Sequence, residues 1–131
     1  MSDEEKIRQL QAQYVQLTDD GDARAKSALF ADDGKYCPSS GEVIGRDEIY
    51  KVIASRAAAQ PNDVYSKHMC GNSVITIRGD TAEAATDYVV YRRTADSPWE
   101  ISQIGRYHDR FVRHGQSWLF SENRPVKLGP R

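Results

Sequence analysis

The chain has 131 residues, a formal net charge of −1, 39% hydrophobic residues and 28% charged residues. This length fits one domain with its own core, and the balance excludes a disordered polar chain and a disulfide-stapled mini-protein. Near-neutral charge excludes a global field for phosphate backbones, so no nucleic-acid partner is expected, and no apolar run approaches a membrane span.

The N-terminus, Met-Ser-Asp-Glu-Glu-Lys, lacks the basic and apolar regions of an export signal, which makes the cytoplasm the expected compartment. In that setting Cys37 and Cys70 are expected as reduced thiols. Ser2-x-x-Glu5 has the form of a capping box. Ile7, Leu10, Tyr14 and Leu17 follow at three- and four-residue spacing, the buried stripe of a helix that Gly21 ends. A second helix is predicted over about residues 22–31, with Asp22 as its N-cap. Asp32-Asp33-Gly34 reads as a turn into a strand at 35–37, then Pro38-Ser39-Ser40-Gly41 as a loop and 42–44 as a short strand. A third helix starts near Arg46-Asp47, carries Ile49, Val52, Ile53 and Ala57 on one face, and stops before Gln60-Pro61-Asn62-Asp63.

From Val64 the hydrophobic period changes from helical to extended. Strands are predicted near 66–70, 73–78, 82–94, 101–113 and 117–121, separated by turn-rich segments. Residues 122–131, with two prolines and a glycine, read as an irregular tail. Helices first and antiparallel strands afterwards argue an α+β domain spanning residues 1–131, with about three helices on the concave face of a strongly bent sheet. Strands as long as 82–94 and 101–113 need a bend, and Gly105 is suited to one.

The order and spacing of several segments resemble the SnoaL-like group of the nuclear transport factor 2 superfamily. They are Tyr14 before Asp19-Asp20-Gly21-Asp22, Leu29-Phe30-Ala31-Asp32-Asp33-Gly34, Val43-Ile44-Gly45-Arg46-Asp47, His68-x-x-Gly71-Asn72, Gly105-x-Tyr107-x-Asp109 and Trp118-x-Phe120. The resemblance covers roughly residues 4–124 and implies a cone-like barrel, a homo-oligomer (dimer or trimer) and a small-molecule substrate or ligand. Its members include dehydratases, isomerases, epoxide hydrolases, cyclases and non-catalytic modules. In site pattern the chain is similar to scytalone dehydratase and hexachlorocyclohexane dehydrochlorinase, which implies Asp19 and His68 as a catalytic pair. It departs from the dehydratase at Tyr88-Val89-Val90-Tyr91-Arg92-Arg93, which carries no second histidine, and at Thr18, where the dehydratase has a tyrosine.

The chemistry of the pair is direct. A neutral imidazole can remove a proton near neutral pH without a metal or cofactor, and a carboxylate on its other nitrogen fixes the tautomer. That suits dehydration, elimination or a double-bond shift on a small, largely apolar molecule. The plainer reading is that Asp19 solvates a helix end and His68 is a satisfied strand histidine. Cys70 shares a strand face with His68 and reads as a wall residue. Tyr36 is a candidate pocket phenol, Tyr107 a polar pocket contact or a sheet anchor, Asp87 an alternative acid–base group, and Arg124 a clamp for an anion at the pocket mouth. An epoxide hydrolase or cyclase would instead draw on Asp87, Arg106 and Asp109. A third reading keeps the same pocket in a non-catalytic binding or scaffold module.

Overall fold

Ser2 starts the first helix by accepting a hydrogen bond from the Glu5 amide at 3.2 Å, and Gly21, at φ 70°, ends it. The computed structural model describes residues 1–129. Its elements are α1 (Asp3–Asp20), α2 (Ala23–Ser27), β1 (Phe30–Tyr36), β2 (Val43–Ile44), α3 (Arg46–Ala59), β3 (Val64–Arg78), β4 (Thr81–Thr94), β5 (Glu100–His114) and β6 (Ser117–Lys127). The strands form one mixed sheet in the order β2-β1-β6-β5-β4-β3, with β1 and β6 parallel and every other pair antiparallel. With three helices packed on this bent sheet, the domain is an α+β cone.

The sheet's side chains alternate sharply. Ala82, Ala84, Thr86, Tyr88 and Val90 of β4 are buried toward the helices, while the residues between them face outward. Against this face α1 lays Ile7, Leu10 and Tyr14, and α3 lays Ile49 and Ile53. Phe30, Phe111 and Phe120 are almost fully enclosed. Their rings pack at centroid distances of 5.4 Å (Phe30–Phe120) and 4.9 Å (Phe111–Phe120), with Tyr14 5.2 Å from Phe120. Each such side chain stabilises the fold by roughly 1.5–3 kcal/mol relative to exposure.

Three expectations need correction. The second helix stops at Ser27, and Phe30 and Ala31 belong to β1, because Phe30 pairs with Phe120 across the parallel ladder. The strands expected at 66–70 and 73–78 are one strand, β3, in which the register shifts between Gly71 and Val74 and Asn72 adopts φ 52°. That bulge absorbs the break without ending the ladder. Residues 122–127 continue β6 instead of forming an irregular tail; residues 130 and 131 lie outside the described residues. The prolines misled here. Pro125 falls beyond the last β1 pairing, Tyr36 with Asn123, where β6 has no second neighbour.

Gly105 serves a close approach. A Cβ there would press into the Val126 carbonyl oxygen and the Tyr88 ring, which crosses the glycine to stack on Tyr107 at 4.3 Å. Gly105→Ala is therefore expected to lower stability by about 1–3 kcal/mol, read as a lower urea midpoint at unchanged slope. An unchanged midpoint would mean that the Tyr88 ring can move aside freely.

Candidate active site

α1 crosses the concave face and delivers Asp19 at its last turn. A carboxylate there faces the negative end of the helix dipole, so it needs compensating donors. β3 supplies them. The His68 backbone amide donates to both Asp19 oxygens at 3.0 and 3.1 Å, and His68 Nδ1 lies 2.6 Å from Oδ1. Lys67 Nζ is 3.5 Å from Oδ2. The Asp19 side chain is 9% exposed and that of His68 20%. With a carboxylate on Nδ1, that nitrogen carries the proton of the neutral ring and Nε2 keeps its lone pair. Among the described residues nothing hydrogen-bonds Nε2, and His68 stands on the wall of the cone's cavity.

This cavity measures about 470 Å³ and opens at one end of the cone. Its walls include Tyr14, Asp19, Lys26, Tyr36, Ile53, Arg56, His68, Tyr88, Val90 and Tyr107. Arg56 Nη1 donates to the Tyr36 hydroxyl oxygen at 2.7 Å, and Gln103 Nε2 donates to that of Tyr88. Each phenol thus receives an N–H and keeps its own O–H to offer. Burial pushes the Tyr36 and Tyr107 phenols above their ordinary range, so both stay protonated at neutral pH.

The other sequence candidates are distributed by strand alternation. Cys70 shares the inner face with His68 but lies under α1, its Sγ 3.9 Å from the Gln11 carbonyl oxygen and outside the cavity lining. Asp87 faces outward, where Arg106 Nε donates to it at 2.7 Å; Asp109 faces inward, so no Asp-Arg-Asp set forms. Arg124 does not reach the cavity mouth. Its neighbour Asn123 takes the inward position, so Arg124 turns outward beside Glu122 (3.5 Å) and Glu42 (3.8 Å). Among the described residues no three His, Cys, Asp or Glu side chains converge as a metal site.

Two buried groups stand out: Asp109, which the sequence offers in the Asp87, Arg106 and Asp109 set, and Lys26, which the sequence reading missed. Asp109 accepts from Asn123 Nδ2 at 2.7 Å, and Asn123 Oδ1 accepts from the Tyr14 hydroxyl at 2.8 Å, a chain that ties α1 to the sheet. Burial raises the Asp109 carboxyl to about 7 against that hydrogen bond. Lys26, 6% exposed, reaches into the cavity with its Nζ 4.5 Å from the centre of the Tyr14 ring. Burial lowers its ammonium to about 7, with the Arg56 charge acting the same way and Asp19 opposing. A lysine on a five-residue helix looks like surface in sequence. Arg56, at the end of α3, looked equally ordinary.

A model of the SnoaL-like domain matches residues 1–124. No curated protein matches the chain. An NTF2-like protein with a cystatin-like fold from Novosphingobium aromaticivorans is 30% identical, over 96% of this chain and 82% of that one, with a TM-score of 0.85. ActVI-ORFA from Streptomyces coelicolor is 18% identical over 95% and 96% of the two chains, with a TM-score of 0.84. A candidate scytalone dehydratase from N. aromaticivorans is 19% identical over 95% and 83%, with a TM-score of 0.81. The chain belongs to the SnoaL-like family of the NTF2-like superfamily, which includes dehydratases, isomerases and cyclases.

The two buried groups oppose each other across the pH scale. Asp109, raised from 3.8, is protonated in the fold when the unfolded chain is not, so its contribution falls as pH rises from about 4 to about 7. Lys26, lowered from 10.5, is neutral in the fold when the unfolded chain is charged, so its penalty is full below about 7 and fades toward 10.5. Urea denaturation should show Lys26→Met stabilised by about 1–4 kcal/mol near pH 7, with the gain vanishing near pH 10.5. Asp109→Asn should remove the slope between pH 4 and 7. Variant curves parallel to the native curve would refute both assignments.

Proposed function

We propose that this SnoaL-like domain is a cofactor-independent lyase or isomerase in which His68 removes a proton from carbon and Asp19 orients it. One observation carries the reading: the 2.6 Å contact between His68 Nδ1 and Asp19, which leaves Nε2 free on the cavity wall. The proton removed lies beside an electron-withdrawing group. It passes to Nε2, and Asp19 stabilises the imidazolium through Nδ1–H. The electron pair left on carbon then expels a neighbouring leaving group or shifts a double bond. Tyr36 and Tyr88, each already receiving an N–H, can donate their hydroxyl protons to an oxygen that gains charge. The aromatic walls suit a substrate with a hydrocarbon or aromatic body.

Incubating the protein in D2O with a panel of small ketones and β-hydroxy or β-halo carbonyl compounds, and reading deuterium incorporation by mass spectrometry, tests the dyad. The expected result is exchange or elimination on at least one scaffold, reduced by about 100-fold or more in His68→Gln. Asp19→Asn is expected to lose a comparable factor, because the amide can hold the wrong tautomer. Turnover that survives in His68→Gln would sink the dyad reading.

We further infer that the subunit self-associates through the outer sheet face. There Met69, Ile101, Ile104 and Val126 leave 42–61% of their surface exposed, on strands whose inner face is already covered by helices. Sedimentation is expected to show a dimer or trimer that Ile104→Glu weakens toward monomer. A monomeric native protein at tens of micromolar would contradict this.

A further inference from the structure

The cavity holds an unbalanced charge. Lys26 and Arg56 both line it, and each repels the other strongly enough to help lower the lysine. Among the described residues neither has a carboxylate within 4 Å. Arg56 spends its hydrogen bonds on neutral partners, Tyr36 Oη at 2.7 Å and Ser40 Oγ at 3.2 Å. Among the described residues Lys26 Nζ has no hydrogen-bond acceptor, and the face of the Tyr14 ring stands against it. Among the described residues Asp19 is the one acidic side chain on the lining, and it is already committed to the His68 ring, the His68 amide and Lys67. Arg92 and Lys127 add further cationic side chains to the same lining.

A buried ammonium without a counter-charge weakens the fold unless something supplies one. Here it faces an open cavity instead of packing, so the counter-charge can come from outside. We propose that Lys26 and Arg56 form an anion subsite that takes the carboxylate of a small organic acid, whose hydrocarbon or aromatic body lies among Ile53, Tyr88 and Tyr107. The inference rests on the dyad's cavity being the reaction site, and it names the substrate class for it. Arg56, with N–H groups left over from those given to Tyr36 and Ser40, offers donors to a carboxylate, and Lys26 a point charge from the adjacent helix. His68 lines the same cavity, so an acid held there shares the space with the proposed base. The apolar part of the lining argues for an organic acid over inorganic phosphate, which would leave the aromatic walls wet.

The test uses 2-naphthoate and its uncharged isostere 2-naphthamide, titrated by calorimetry into the full chain. The native protein is expected to bind the acid at least about 10-fold tighter than the amide, the range of a charge-assisted pair. Lys26→Met and Arg56→Gln should each lose most of that preference, while His68→Gln keeps it. Naphthoate binding at pH 8 should also take up a proton, read from the dependence of the enthalpy on buffer. Among the described residues the other titratable groups on the cavity are Asp19 and Tyr14 from α1, Arg56 from α3, Tyr36 from β1, His68 from β3, Tyr88 and Arg92 from β4, Tyr107 from β5 and Lys127 from β6. Uptake on Lys26 should therefore persist in His68→Gln and vanish in Lys26→Met. Equal binding of acid and amide, or a preference that survives in both Lys26→Met and Arg56→Gln, would overturn the subsite. Loss of exchange in His68→Gln with the preference intact separates the two readings. The reverse pattern, exchange without any preference for the acid, removes the subsite alone.

Discussion

Everything in this molecule depends on how α1 is held across the sheet. An amphipathic helix on a bent sheet could slide or rotate on apolar contacts alone, because those contacts are not directional. Polar ties fix it at intervals. At its start Asp3 receives Arg113 at 3.1 and 3.2 Å and the Trp118 indole at 3.1 Å. In the middle Gln11 donates to Thr86 at 2.6 Å, and Tyr14 reaches Asp109 through Asn123. At its end Asp19 grips the backbone and ring of His68. The last tie completes the fastening and sets the His68 ring against the Asp19 carboxylate.

That double use has an energetic logic. Asp19 sits at the unfavourable end of a helix dipole, and its partner strand must give up an inward position to a polar ring. The backbone amide of His68 offsets part of this by donating to the same carboxylate. Geometry at the dyad is thus set by main chain as well as side chain, which limits the freedom of the imidazole to turn. Such preorganisation is what the proposed proton transfer requires, since misplacement by about 1 Å is costly.

The cavity beside the dyad is more polar than an apolar cone would be. Two phenols are held by Arg56 and Gln103, and Lys26 and Arg56 have no carboxylate partner among the described residues. Lys26 is the sharpest case. A group desolvated this far weakens the fold near neutral pH, as does Asp109 from the opposite sign. Asp109 has a structural return, because it anchors the chain from Tyr14. Lys26 has none among the described residues, so its value lies in what enters the cavity.

The sequence by itself determined the element types and much of the packing. The spacing of Ile7, Leu10 and Tyr14 marked the buried face of α1, Gly21 its end, and the alternation after Val64 the long strands. The motif pattern also led to Asp19 and His68. It could not say where β1 begins or where β6 stops, because Phe30 and the prolines follow local rules that long-range pairing overrides. It could not separate inward from outward carboxylates either, since one residue of register decides whether Asp87 meets solvent or the cavity. Lys26 and Arg56 were invisible for a related reason. A charged residue on a short helix or at a helix end is usually solvated, and only the closing of α2 and α3 over the sheet buries the first and brings the second, still exposed, to the cavity lining.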